Sequence, residues 1–550
     1  MEHPPNLVAL ERYAAYAYAL DLVRDVWIFL LGILSMTVYC LIAPDGILQM
    51  LSQFHDTRPE SLRNSNDTKG FALHPPSVIP MQVAAPSAIP LEKVIISQTT
   101  TKRDSAHKLP WELWELIFRY VSVNPSRDKL LQSVKLAAVC KFWRTVSLSC
   151  PRLWDTLVIR TDNALNRDLI HTIITRSRAR GLHVFVAHTE MHIPVPIQSF
   201  VHESIHLMDV VRILQPLLLR IKVLHVEAQG GLGAAQFMLS LTGACEVLEE
   251  LSLICFQPLQ TITANNGQRS AHWSWMSRIH TPRLARLTMT LSSPNLPASL
   301  ASFTSIRSLT LLFPIDNITF DLNVLLSSLA SMKSLTELTM DGSGGPASVL
   351  ALPILPFPNN VFELPSLRTL RFHTVARELL LHFILRVRFP SMTTLDITVL
   401  PHFAVGFHLF AHLNNPRNAP LLKTLCLSHF GPGLLPSIFP HLTFCCHLKL
   451  HHAGALDDLQ LEGLASPQGL TATWFAPRLR SLELSHAPLV TVHALRTLVG
   501  GRKEQSTLES SVAALEDLRV FHTARLSATD RTWFRNQVPM FYWGSGQDNA

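Results

Sequence analysis

The sequence predicts an α/β fold in which a short helical module precedes an irregular solenoid of strand-and-helix repeats. Three observations carry this expectation. A frame of the form apolar-x-x-apolar-x-apolar recurs eleven times from Ile221 onward. The stretch from Leu109 to Trp154 concentrates large apolar side chains, four of them Trp, at helical spacing. Residues 52–108, just before it, hold neither a helical nor a strand period.

The whole chain sets the bounds. At 550 residues it has length for several domains and a large core. Hydrophobic residues make up 47% and charged ones only 16%. The formal net charge of +7 is not gathered into basic runs. Phosphate contacts need clustered Lys and Arg, so no nucleic-acid partner is expected. Eight cysteines are irregularly spaced, with no CxxC pair, which points to neither a zinc ribbon nor a disulfide framework. A reducing compartment is the simplest reading.

Residues 1–51 form an apolar N-terminal segment. Within it Val26 to Ala43, VWIFLLGILSMTVYCLIA, runs 18 residues without a charge between Arg24-Asp25 and Pro44-Asp45. A single membrane-spanning helix over 26–43 is therefore a candidate, with a helix docked on the globular part as the alternative. The residues before it carry more acid than base, which is unlike a signal peptide. Residues 52–108 scatter Pro59, Pro75, Pro76, Pro80, Pro86 and Pro90 among Ser, Thr and Asn, and read as a flexible linker.

In residues 109–154, Pro110 sits where a helix begins, a position whose N–H needs no helical partner. Leu113, Leu116, Ile117 and Tyr120 follow at i, i+3, i+4 and i+7, one apolar stripe. Val139, Phe142, Trp143 and Val146 repeat the spacing. Three short helices cannot enclose this much apolar surface, so a partner-docking patch is expected outside. The residues LPWELWELIF (Leu109, Pro110, Glu112, Leu113, Ile117, Phe118), VCKFWR (Val139, Cys140, Lys141, Trp143, Arg144) and CPRLW (Pro151, Leu153, Trp154) keep the order of a known pattern. The stretch resembles the F-box, the helical module of the substrate receptors of SCF (Skp–cullin–F-box) ubiquitin ligases. The layout of F-box and leucine-rich tail resembles a group of fungal F-box proteins. One departure is that QSVKLAA separates Leu130-Leu131 from Val139-Cys140, which is longer than usual and predicts an extended or shifted second helix.

After a connecting α/β region, 155–219, the repeats occupy 220–525. Their frames start at Ile221, Leu248, Leu284, Ile306, Leu335, Leu367, Met392, Leu422, Cys445, Leu479 and Leu515, 22 to 36 residues apart. That spacing is the signature of leucine-rich repeats. Each frame predicts a short strand whose alternate residues enter the core, with Leu309, Leu338, Leu370 and Leu482 central and buried. Phe320 to Ser334 has helical spacing and predicts a helix packed behind the strands. The regular repeat carries Asn or Cys at its ninth position. Here that position holds Gln229, Phe256, Ser292, Pro314, Ser343, Val375, Leu400, Phe430, Ala453, Ala487 and Thr523. An irregular solenoid is therefore expected, closed by a C-terminal cap or tail over 526–550.

A rival chemistry lies at His202-Glu203-Ser204-Ile205-His206, the HExxH frame of zinc hydrolases, with Glu203 as the would-be general base. A catalytic zinc needs a third ligand: Asp209 stands where Gly should continue the motif, and Glu227 is conceivable but lies on a predicted repeat strand. Surface histidines are the plainer reading. No catalytic residue, metal or cofactor is expected.

The resemblance implies an adaptor and not an enzyme. It implies that Leu109, Pro110, Leu113, Ile117, Phe118, Val139, Cys140, Trp143, Pro151, Leu153 and Trp154 make the F-box surface that docks on the Skp adaptor subunit, and through it on the cullin. The leucine-rich repeats would then hold an unknown protein substrate. The chain is expected in the cytoplasm or nucleus, or anchored to a membrane with the F-box facing the cytosol. The competing class is a membrane-tethered leucine-rich-repeat binding protein with no ligase role.

Overall fold

The computed structural model describes residues 110–121, 128–161, 165–187, 197–257, 279–291, 300, 303–313, 321–342, 361–398, 407–415, 417–431, 434–467, 474–509, 511–522 and 526–544. The chain divides into two units, Met1–Gln98 and Thr99–Ala550, and every described residue belongs to the second. The candidate span 26–43, the linker 52–108 and Leu109 lie outside the described residues. Among the described residues no helix is long and apolar enough to cross a membrane.

One parallel sheet of fourteen strands organises this unit, with neighbours in chain order throughout. It opens with β1 (Thr156–Arg160), β2 (Leu182–Ala187), β3 (Ile221–Gly230), β4 (Glu250–Gln257) and β5 (Arg286–Thr290). It continues through β6 (Ser308–Leu312), β7 (Glu337–Asp341), β8 (Thr369–His373), β9 (Thr394–Thr398) and β10 (Thr424–Ser428). It closes with β11 (His447–His451), β12 (Ser481–Ser485), β13 (Asp517–Phe521) and β14 (Met540–Gly544). All eleven expected frames lie on strands, β3 to β13. The register stacks the fourth frame position in one column: Leu287, Leu309, Leu338, Leu370 and Leu395 are successive partners. Leu309, Leu338, Leu370 and Leu482 are each 0% exposed. Burying each contributes about 2 kcal/mol, and only stacked neighbours supply the covering surface. The architecture is a leucine-rich-repeat-like solenoid.

The sheet extends past both expected bounds of the repeats. The region 155–219 is not a mere connector, because it contributes β1 and β2. The tail 526–550 contributes a helix and β14. Trp154, Leu157 and Ile159 form a first frame, and Val538, Phe541 and Trp543 a last one, by register with their neighbours. Both are poor in Leu. The core positions require apolar volume and β-compatible shape, which aromatic and β-branched residues also supply. Gly181 takes the first position of the second repeat, so that repeat shows no full frame.

Helices return the chain between strands. A helical module comes first, made of α1 (Trp111–Val121), α2 (Asp128–Val139) and α3 (Lys141–Ser149). In the repeats follow α4 (Arg167–Ser177), α5 (Ile197–Leu214), α6 (Gly231–Ser240), α7 (Leu322–Ser331) and α8 (Arg377–Leu385). Then come α9 (Phe407–Asn414), α10 (Leu434–Ile438), α11 (Asp458–Ala465), α12 (Val492–Leu508) and α13 (Ala528–Gln537). Helix α7, expected from its spacing, buries Leu322, Leu325, Leu326 and Leu329. Asp321 caps it by accepting the Asn323 N–H, the usual service of Asp at a helix start.

The missing ninth-position Asn is replaced in two ways. Phe430, Ala453 and Ala487 turn inward and are buried, so an apolar residue stands where the polar ladder would run. The backbone of the eighth position then bonds across the repeats. The N–H of Phe313, Gly342, Thr374, His486 and His522 donates to the carbonyl of Asp341, His373, Thr398, Phe521 and Gly544, at 2.7 to 3.2 Å. Gly342 is required there, since a Cβ would stand 2.6 Å from the Thr374 carbonyl oxygen.

Near the C-terminus Arg502 of α12 is fully buried. Its guanidinium donates to the carbonyls of Leu464, Ala476, Pro477, Leu479 and Ala513, at 2.9 to 3.4 Å. Burial pushes its pKa down to about 10, so the group remains charged at neutral pH. It ties the end of α11 to the loops around it, and the Ala476 and Pro477 carbonyls also accept the N–H groups of Leu479 and Ala513.

Candidate functional site

The helical module is built around aromatic rings. Trp114, Phe118 and Trp143 pack with centroids 5.0 to 5.9 Å apart, Phe142 stands 5.8 Å from Trp114, and the interplanar angles are 56 to 77°. Offset and edge contacts of this kind suit the charge distribution of the rings. Helix α2 runs unbroken from Asp128 to Val139, so the longer spacing through QSVKLAA extends it. Cys140 interrupts the helices and caps α3, its Sγ accepting the Trp143 N–H at 3.4 Å.

The sequence-derived docking residues separate into three groups. Pro110, Leu113, Val139 and Cys140 are exposed, Leu113 by 43% and Val139 by 45%. Leu116 and Tyr120 extend that apolar surface, 58% and 82% exposed. Ile117 and Pro151 are half-buried. Phe118, Trp143, Leu153 and Trp154 are buried in the isolated chain. The stripe on α1 faces outward, while Trp114 and Phe118 form its inner face. Helical spacing alone identified a stripe but not which side of it the core would take.

Trp154 joins the module to the sheet. Its indole N–H donates to the Ser147 carbonyl at 2.8 Å, and the Arg176 guanidinium of α4 lies 4.6 Å above its ring. Ser133 of α2 donates to the Leu153 carbonyl at 2.8 Å. Trp154 is also the first apolar position of the first repeat, so the module passes into the solenoid without a linker.

The HExxH segment lies on α5, where Glu203 is only 5% exposed. Its carboxylate accepts the N–H groups of Gln229 and Gly230, at 2.8 and 3.1 Å. It therefore closes the turn after β3. Glu227, weighed as a third ligand, pairs with His225 at 2.7 Å. Among the described residues no three His, Cys, Asp or Glu side chains are placed to hold a metal ion. Cys445, of the adjacent Cys445-Cys446 pair, is fully buried, and burial pushes its thiol up to about 12, which removes it from thiolate chemistry.

The exposed side of the sheet carries charges that are largely matched. Arg286 pairs with Glu250 at 2.7 Å and Lys449 with Glu483 at 3.1 Å, each across adjacent strands. Arg519 pairs with Asp517 at 3.1 Å within β13. Between them stand Thr and Ser, such as Thr369, Thr394 and Thr424 in one row. This polar, evenly charged surface has no basic concentration.

Beside it lies a feature that the sequence reading passed over. His429, His452, His486 and His522 occupy the eighth frame position of four consecutive repeats and stack ring on ring. The signal is an apolar-x-His ending at each of those strands, one residue before the position inspected for Asn.

No protein-family model matches the chain, and no curated protein matches it. Among solved structures, an internalin from Listeria monocytogenes is similar at 13% identity, over 64% of this chain and 98% of that one. Its TM-score is 0.25, so the repeat architecture rests on this chain's own sheet and register.

Proposed function

We propose that the chain is the substrate-receptor subunit of an SCF-type ubiquitin ligase, an adaptor without a bond-making residue of its own. The observation that carries this reading is the exposed apolar stripe of α1, Leu113, Leu116 and Tyr120, within a module whose sequence resembles an F-box. A small aromatic core presents that stripe outward, as a docking partner would require. The polar sheet face would hold a protein substrate, and catalysis would come from proximity to the ligase's ubiquitin-charged partner enzyme. Should Val26–Ala43 span a bilayer, the module would face the cytosol, and fractionation of the full-length chain tests that directly.

Affinity purification of the full-length chain should recover the Skp adaptor and the cullin. Leu109→Ala with Pro110→Ala should abolish that capture, and Leu113→Ala with Tyr120→Ala should weaken it. Truncating a buried interface anchor costs about 2 kcal/mol or more, roughly thirtyfold in affinity. Trp143→Ala should also lose the adaptor, by opening a cavity in the module's core and not by removing a contact. Adaptor recovered undiminished with both double variants would leave the module a mere cap on the solenoid and favour the membrane-tethered binding protein.

A further inference from the structure

The column of four histidines is an arrangement that nothing in the proposed ligase role uses. Ring centroids are 4.1 Å apart for His429 and His452, 4.5 Å for His452 and His486, and 4.3 Å for His486 and His522. Adjacent planes differ by only 11 to 18°. All four residues have positive φ, between 48 and 53°, a region uncommon outside Gly in which Asn, Asp and His are the enriched side chains. Four neighbouring repeats thus hold the same uncommon backbone and place the same ring on it. In the middle of the sheet the same position holds Gly342 and Thr374, and no stack forms there.

The geometry argues against a metal site. Imidazole lone pairs lie in the ring plane, and a single ion between two parallel rings would have to be bound perpendicular to both. What the stack does favour is neutral rings in offset contact. Adding protons places like charges a few ångströms apart along a row. Burial, then the neighbouring His452, lowers the pKa of His429. For His486 desolvation is again the first cause, followed by His522, His452, His429 and His451.

Among the described residues the carboxylates of the neighbouring elements are engaged elsewhere. Glu483, on β12, is engaged by Lys449 at 3.1 Å and His451 at 3.6 Å. On β13, Asp517 is held by Arg519. On the helices behind, Asp457 caps α11, Asp458 accepts from Thr491, and Asp530 pairs with Arg496. His493 stands in the first turn of α12 and Lys423 before β10, and neither is an anion.

We propose that the stacked histidines form a proton-sensitive latch on the last repeats, closed when the rings are neutral and loosened when they are protonated. Because the folded state lowers the affinity of His429 and His486 for protons, the unfolded or opened state binds more of them below its own pKa. Stability from the latch is therefore complete above about pH 6.5, the ordinary His value, and is lost as pH falls through the lower folded values. Repeats communicate mainly with their neighbours, so the effect should concentrate from β10 to β14. A receptor with such a latch would present its C-terminal repeats differently in acidified surroundings.

Two measurements on the full-length chain decide this. In histidine-labelled protein His429 and His486 should protonate below the ordinary His value. Amide-exchange protection across β10 to β14, corrected for intrinsic exchange, should fall between pH 7.5 and 5.5. The drop should be about fivefold for one adjacent like-charged pair in water, and smaller at high salt. His452→Asn with His486→Asn keeps side chains tolerant of positive φ while removing the central charges, and should abolish the fall. Titration of His429 and His486 at the ordinary His value would overturn the proposal, whether or not the double variant folds. An identical loss of protection in wild type and double variant would overturn it as well.

Discussion

The first and last thirds of the solenoid close their turns by different chemistry. After β3 a single buried carboxylate, Glu203, reaches across from α5 and accepts two backbone N–H groups. After β10 to β12, among the described residues, stacked imidazoles stand outside and a buried Phe or Ala stands inside, with no such carboxylate. Both arrangements substitute for the Asn that a regular repeat would carry. The first is a point solution that depends on one charge-assisted pair of bonds, which are stronger than neutral ones. The second spreads over four repeats and depends on the protonation state of its rings. A repeat architecture thus needs its turn donors satisfied or bonded across, but does not dictate by which group.

The comparison breaks most visibly at Arg502. Arg502→Leu removes the guanidinium donor from the Leu464, Leu479 and Ala513 carbonyls and should destabilise the C-terminal repeats on the order of 3 kcal/mol. Urea unfolding followed by amide exchange should show the loss confined to the neighbourhood of α12, with β3 to β5 unaffected. Uniform destabilisation would mean that the two ends are more tightly coupled than a repeat array allows.

Glu203→Ala tests the other end. Removing the carboxylate leaves the Gln229 and Gly230 donors without their partner, at about 2 kcal/mol. The expected readout is a lower unfolding midpoint with faster exchange at the end of β3. Adaptor capture should be unchanged, and Glu203→Gln should be milder, since its amide oxygen can still accept.

A smaller effect sharpens the contrast between buried and exposed caps. Asp458 accepts both the N–H and the hydroxyl of Thr491, each at 2.7 Å, but on the surface. Asp458→Ala should cost about 1 kcal/mol, because water can replace the lost partner. A loss as large as that of Glu203→Ala would show that exposure is not what separates the two caps.

What the sequence determined by itself was the periodic part of the protein. A strand needs apolar residues at alternate positions, and eleven frames of that form located eleven strands, because the covering surface is supplied by an identical neighbour. It also identified the helical module, whose aromatic density exceeds what three short helices can enclose. The tertiary structure decided the rest. Only packing revealed that Trp154 and Val538 begin repeats, since a core position is defined by what surrounds it. Only packing turned Phe118 inward and Leu113 outward on one helix, because spacing gives a face but not its partner. The roles of Glu203, Arg502 and the four histidines depend on groups 11 to 38 residues away in the chain, brought together by stacking. A polar side chain acquires such a role when folding removes its neighbours from water, and no local pattern in the chain records that.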